Sequence, residues 1–182
     1  ILDMAKHYPS TRLLYISSSE VYGKRQNGSG QPYREDEYGF VDILDPRACY
    51  PNGKRAAETL CLAYGQEYKV DTVIARLGHI YGPSITTTDT RASASFTRDV
   101  VAGNDIVMKS AGTQLRSYCY SLDCASAILT VLINGKSGEA YNVSNNNSVV
   151  SIREMASALS KAGNVQVVFK NPSDLELRGY NL

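Results

Sequence analysis

Tyr50 and Lys54, in the run Tyr50-Pro-Asn-Gly-Lys54, have the residue types and the spacing that can move a proton. Four apart on a helix, they share one face, so the ammonium can sit near the phenol. A nearby cation favours phenolate and pulls a tyrosine pKa down from about 10 toward neutrality. A hydroxyl from another element, here Ser18, can hold the oxygen that loses or gains the proton. These are the groups needed to oxidise or reduce an alcohol beside a nicotinamide. The spacing alone decides little, because among 13 tyrosines roughly one Tyr-x-x-x-Lys arises by chance. A helix-face lysine is commonly just solvated and a tyrosine commonly packs. The elements around the pair must decide.

Residues 12–17, Arg12-Leu-Leu-Tyr-Ile-Ser17, form a short apolar run of buried-strand type, and residues 1–7 before it read as a helix end closed by Pro9. Residues 18–47 are polar and contain Gly23 to Gly30, a stretch too long for a plain connector and therefore expected to be functional. The pattern over 48–68 predicts a long amphipathic helix, with Ala56, Ala57, Leu60, Cys61 and Tyr64 on one face and Lys54, Arg55 and Glu58 elsewhere. Gly53 weakens its first turns, and Pro51 fits only near its start. Residues 71–77 read as a second buried strand. Strand, long helix, strand at this spacing predicts a parallel βαβ unit.

After Gly78 the character changes. Residues 92–102 read as helix, 105–108 and 114–120 as short strands, and 121–133 as a second apolar helix. Asp123 suits the positive end of that helix. A strand at 139–143 precedes Ser151-Ile-Arg-Glu154, a capping box in which each side chain can satisfy the other residue's backbone donor. It opens a helix to about Lys161, and 165–169 follow as strand. The alternation predicts an α/β fold with a smaller mixed portion after about residue 84.

At 182 residues the chain suits one domain or parts of two, and 43% hydrophobic residues can fill a core. Nineteen basic against eighteen acidic residues leave no electrostatic footprint for nucleic acid. No apolar run is long enough to span a membrane. The opening Ile1-Leu-Asp-Met-Ala-Lys-His-Tyr-Pro9 lacks the features of a signal peptide. Cys49, Cys61, Cys119 and Cys124 make no Cys-x-x-Cys pair, and two histidines are too few for a histidine-rich metal centre. Reduced, mostly buried thiols in a cytoplasmic protein with no bound metal are expected.

Four motifs stand in order: Ser17-Ser-Ser-Glu-Val-Tyr-Gly23, Pro46-Arg-Ala-Cys-Tyr-Pro-Asn-Gly-Lys-Arg-Ala-Ala-Glu-Thr59, Ala75-Arg-Leu-Gly-His-Ile-Tyr-Gly-Pro83 and Gly112-Thr-Gln-Leu-Arg-Ser-Tyr-Cys-Tyr120. Together they resemble the extended short-chain dehydrogenase/reductases, specifically the NAD-dependent nucleotide-sugar epimerases, dehydratases and decarboxylases. The resemblance implies the C-terminal part of a Rossmann-like parallel sheet plus a smaller mixed α/β substrate-binding lobe. Residues 1–83 would be a partial NAD-binding region with the catalytic helix, and 84–182 mainly the substrate lobe, interleaved with it.

By that resemblance Tyr50 is the base on the sugar 4-hydroxyl. Lys54 lowers its pKa and holds the nicotinamide ribose, and Ser18 bonds the same sugar oxygen. Hydride passes from the sugar C4 to NAD, giving a 4-keto intermediate, and later returns. The family's 4,6-dehydratases carry an Asp-Glu pair where this chain has Ser19 and Glu20, which disfavours dehydration. Ser-Ser-Glu, Pro-Arg-Ala-Cys-Tyr and Gly-Lys-Arg most resemble the UDP-glucuronate decarboxylases, ahead of 4-epimerases. There Glu20 and Ser19 would position the sugar, and Arg116 would meet the carboxylate or protonate the enolate. Arg116 also suits a substrate diphosphate, a natural use of a planar fork of donors. Arg91 matches an arginine near the decarboxylase substrate, with a surface ion pair as the alternative. A loop carboxylate or helix cap is the alternative for Glu20. His79 stands where the family usually has a substrate-contacting Asn, so it is expected to replace that hydrogen bond. The partners implied are a nucleotide-diphosphate sugar and a second copy in a homodimer.

No Gly-x-x-Gly-x-x-Gly or Gly-x-Gly-x-x-Gly lies between a strand and a helix, and Gly28-Ser-Gly30 follows no strand. The expectation is an internal fragment of a protein of about 300 residues, ending in the run Asn171 to Leu182 short of the usual final helix. The alternative function is a non-catalytic fragment serving folding or self-association. A weaker third reading is an alcohol or ketosteroid dehydrogenase of the same superfamily.

Overall fold

The computed structural model describes residues 1–25, 31–83 and 85–170. The Gly28-Ser-Gly30 run and the terminal run 171–182 lie outside the described residues. The chain divides into two compact units. The first is Ile1–Gly78 with Leu122–Ser144, and the second is His79–Ser121 with the described residues from Asn145 onward.

The first unit is built on a three-stranded parallel sheet. Strand β1 (Arg12–Ser18) pairs with β2 (Asp71–Leu77), which pairs with β6 (Ala140–Val143), giving the order β1-β2-β6. A short helix α1 (Leu2–Ala5) precedes β1. The long helix α2 (Cys49–Tyr68) joins β1 to β2 and makes the expected parallel βαβ unit. As the middle strand, β2 is covered on both faces, and Val73, Ile74 and Ala75 are buried. Helix α4 (Ser121–Asn134) leads toward β6, with Asp123 in its first turn. Arg12 holds the far end of α4: its Nη1 donates to the carbonyls of Leu132, Ile133 and Gly135, and its Nε to Asp71.

Between β1 and α2 the long polar stretch is tied down rather than regular. A 3₁₀ turn (Ser19–Tyr22) follows β1 at once, and another (Pro46–Ala48) leads into α2. Gly23 ends the first turn at φ +66, where a Cβ would lie 2.5 Å from the Phe40 carbonyl oxygen. No other residue type fits that left-handed, crowded position without displacement. Lys24 and Phe40 pair as an isolated antiparallel bridge, and Tyr22 stacks on Tyr33 at 4.8 Å.

The expected inward face of α2 is corrected. Leu60 is 51% exposed and Ala56 is exposed, whereas Pro51, Glu58 and Cys61 are buried. The reason is electrostatic. Arg76 on β2 is buried and needs a carboxylate, and Glu58 supplies it at 2.7 Å. A buried charge must be paired and hydrogen-bonded, and that requirement turns the helix.

The second unit holds strands β3 (His79–Tyr81), β5 (Leu115–Tyr120) and β7 (Val149–Ser151) in the order β3-β5-β7, with β5 parallel to β3 and antiparallel to β7. A parallel pair, β4 (Ile106–Met108) and β8 (Val167–Phe169), stands beside helices α3 (Ala92–Val101) and α5 (Ile152–Gly163). Phe96, Ile106, Met108 and Ala156 form its core. The capping box is present: the Ser151 hydroxyl accepts from the Glu154 amide, and the Glu154 carboxylate accepts from the Ser151 amide. β3 and β7 were not expected.

Candidate active site

The first unit gathers Ser18, Ser19, Glu20, Tyr50 and Lys54 around the C-terminal end of β1. Strand β1 ends on Ser18, whose extended backbone turns straight into the 3₁₀ turn carrying Ser19 and Glu20. The Ser18 hydroxyl oxygen accepts from the Glu20 amide at 3.2 Å, capping that turn. A serine hydroxyl that accepts in this way keeps its own proton to donate. Glu20 thus lies in a first turn, where its carboxylate also suits the positive end of the turn.

Tyr50 stands in the first turn of α2 with its side chain about half-exposed (49%). The Lys54 ammonium donates to the Ile16 carbonyl at 2.8 Å. It lies 5.7 Å from the Tyr50 ring centroid and 5.1 Å from that of Tyr15. Lys54 therefore ties the helix face bearing Tyr50 to the strand that ends on Ser18. Arg55 adds a second tie, with Nε donating to the Val21 carbonyl and Nη2 to those of Tyr22 and Gly39. Sequence reasoning placed Arg55 merely off the apolar face. Its position beside Lys54 at the start of the helix was the available signal.

An ammonium carries three N–H donors, and one of those on Lys54 goes to Ile16. The others suit the hydroxyls of a ribose, and the exposed phenol of Tyr50 suits an alcohol oxygen. This donor set fits the nicotinamide-ribose end of NAD.

The second unit holds His79, Arg91 and Arg116. His79 opens β3 opposite Tyr118 of β5, the two rings meeting edge-on at 5.9 Å. Burial, with the positive charges of Arg116 and Arg91, pushes its pKa down to about 4. It is therefore a neutral imidazole near pH 7, able to donate one hydrogen bond and accept another. Arg116 lies on β5 opposite Val150, and its Nη1 donates to the Leu115 carbonyl. Arg91 caps α3 and grips Asp89 with two nitrogens, at 2.5 and 3.0 Å, which holds the Asp89 carboxyl down at about 2.

The same unit contains a cavity of about 840 Å³. Tyr81, Tyr118 and Tyr120 supply aromatic wall, Met155 and Leu159 aliphatic wall, and Asp89, Arg91 and Glu154 the charged groups. A mostly apolar, concave space with few polar groups is the usual form of a small-molecule site. Gly82 belongs to that wall, and a Cβ there would fall 2.3 Å from the Ser121 hydroxyl oxygen. All four cysteines are thiols, three of them buried, and no metal-ligating cluster occurs among the described residues. No helix among the described residues is long and apolar enough to cross a membrane.

A parallel βαβ unit with a Tyr-x-x-x-Lys helix seated on the end of its first strand places the first unit among the Rossmann-like α/β folds. The chain belongs to the NAD-dependent epimerase/dehydratase family, whose model matches residues 1–144. It is 32% identical over 165 residues to UDP-glucuronic acid decarboxylase 1 of Xenopus tropicalis, covering 90% of this chain and 38% of that protein. It is 30% identical over 177 residues to UDP-glucuronic acid decarboxylase 6 of Arabidopsis thaliana, covering 96% and 50%. The chain thus spans half or less of the length of these curated relatives. Its fold matches UDP-glucose 4-epimerase of Thermotoga maritima, solved with UDP-glucose. The TM-score is 0.82 at 20% identity, over 100% of this chain and 57% of that one.

Proposed function

We propose that the whole protein oxidises a UDP-sugar at C4 and that the 4-keto sugar then loses carbon dioxide, as in a UDP-glucuronate decarboxylase. The observation that carries this is the Lys54–Ile16 bond, which seats Tyr50 and Lys54 on the strand that delivers Ser18 and Glu20. Lys54 would hold the ribose of NAD, the group that would take up the C4 hydride and give it back after carbon dioxide has left. Tyr50 takes the proton from the 4-hydroxyl onto a phenolate oxygen, and the Lys54 ammonium favours that anionic form before the transfer. Ser18 donates to the same sugar oxygen. A β-keto acid formed at C4 releases carbon dioxide readily, so the protein needs mainly to hold the sugar. Ser19 and Glu20 do so. The nucleotide-diphosphate end is assigned to His79, Arg91 and Arg116, and the aromatic cavity suits a flat base. In this reading residues 1–83 supply mainly the cofactor side and 84–182 mainly the substrate side.

Three buried thiols suit a reducing, cytoplasmic setting. Leu60 and Leu62, exposed on α2, suit a homodimer through that helix.

Incubating the whole protein with NAD and UDP-glucuronate should release carbon dioxide. Tyr50→Phe should lower that turnover by at least about 100-fold, the usual worth of a positioned proton acceptor. Unchanged turnover in that variant would sink the assignment. A second reading, 4-epimerisation, is favoured by the fold match to a UDP-glucose 4-epimerase, and epimer formed from UDP-glucose would identify it. A third reading is a non-catalytic folding or self-association unit. Tight NAD binding by the 182-residue chain alone would exclude it.

A further inference from the structure

We propose that Arg76 is the positioning residue of this site: one buried guanidinium fixes α2, which carries Tyr50 and Lys54, against the turn that carries Glu20 and is capped by Ser18. The inference rests on the site reading above and assigns a role to residues outside it.

An arginine has five N–H donors in a rigid fork, and each one on Arg76 meets an acceptor. Nε donates to the Glu58 carboxylate at 3.0 Å, and Nη2 donates to the same carboxylate at 2.7 Å and to the Tyr38 hydroxyl at 3.3 Å. Nη1 donates to the Tyr22 hydroxyl at 3.0 Å and to the Glu35 carbonyl at 2.8 Å. Arg76 is 3% exposed and Glu58 7%. A lysine, with three donors on a single nitrogen, cannot reproduce this fork.

The partners join the two halves of the constellation. Glu58 follows Lys54 by four residues and Tyr50 by eight, so the three share one face of α2. Tyr22 is the last residue of the 3₁₀ turn that begins at Ser19 and is capped by Ser18. Burial raises the Tyr22 pKa, so its hydroxyl stays protonated and passes the chain on, donating to the Asn142 side-chain oxygen at 2.6 Å. The Asn142 side-chain nitrogen donates to the Tyr33 carbonyl, and the Tyr33 ring stacks on Tyr22. Shifting Arg76 therefore shifts α2 relative to the turn, and Tyr50 relative to Ser18. A networked buried guanidinium has few alternative arrangements, because any shift leaves donors unpaired.

A positioning role predicts a loss confined to turnover, since geometry needed only in the transition state lowers kcat and kcat/KM together and leaves KM alone. In the whole protein, Arg76→Lys should lower kcat, counted per folded molecule by circular dichroism, by about 10- to 100-fold, with KM for the UDP-sugar within about twofold. Tyr22→Phe keeps the ring stack and removes only the shared hydroxyl, so it tests the idea even if Arg76→Lys folds poorly. It should lower kcat by about tenfold, again at constant KM. Arg12→Met, which breaks the Asp71 pair and the cap on α4 far along the sheet, should cost stability and leave kcat per folded molecule unchanged. Normal kcat in Arg76→Lys and Tyr22→Phe, alongside an inactive Tyr50→Phe, would overturn the positioning role and spare the site reading. An active Tyr50→Phe would overturn both.

Discussion

His79 shows how much a single residue's meaning depends on its surroundings. In the sequence it is an unexpected histidine in Leu77-Gly-His-Ile-Tyr81, with either charge state open. Burial and the nearby guanidinium groups of Arg116 and Arg91 settle it as neutral, with a pKa of about 4 against an ordinary 6.5. The unfolded chain therefore binds more protons than the folded one between those two values. Stability contributed by neutral His79 is complete above pH 6.5 and is lost as the pH falls through about 4. Melting followed from pH 7.5 to 4 should show a fall in that window, and His79→Asn should flatten it. A pH profile identical in the variant would show that His79 does not titrate in this way. Type and spacing marked Tyr50, Lys54 and Ser18 as candidates, and the surrounding motifs were needed to single them out. The pKa of His79 was not, because desolvation belongs to the fold and not to the segment.

At the scale of elements, strands and helices with strong patterns were readable to within a residue or two, and the capping box at Ser151 and Glu154 marked the start of α5. The inward face of α2 was not readable. Its hydrophobic pattern favoured Ala56 and Leu60, yet the pairing of Glu58 with Arg76 decided the rotation. The available signal was an arginine inside the otherwise apolar run Val73-Ile-Ala-Arg-Leu77, since a buried charge requires a partner nearby. Gly53 gives this element a test of its own. A Cβ there meets nothing within 4 Å, and glycine inside a helix costs about 0.5–1 kcal/mol relative to alanine. Gly53→Ala should therefore stabilise the first unit by about that amount, seen as a higher urea midpoint. A lower midpoint would mean that the turn bearing Tyr50 departs from helical geometry.

At the scale of the whole molecule, the chain leaves the first unit at Gly78 and returns for Leu122–Ser144. The alternation of strands and helices foretold both kinds of element, while interleaving of the two parts was expected only through the family resemblance, because the return depends on β6 finding the free edge of β2. A chain cut after Gly78 would lack β6 and α4, leaving Val73 and Ile74 uncovered and depriving Arg12 of its carbonyl partners on α4. Such a piece should show no cooperative melting by circular dichroism, even though it contains Ser18, Tyr50 and Lys54. A sharp transition would show that β1, α2 and β2 suffice. The return also sets a schedule during synthesis. Chains are made at about 5–20 residues per second, so β2 waits several seconds, with one edge open, for the strand that completes its sheet. Through that interval the nascent protein carries its proton-transfer residues on an unfinished platform, a window in which a chaperone or a second nascent chain competes for the same edge.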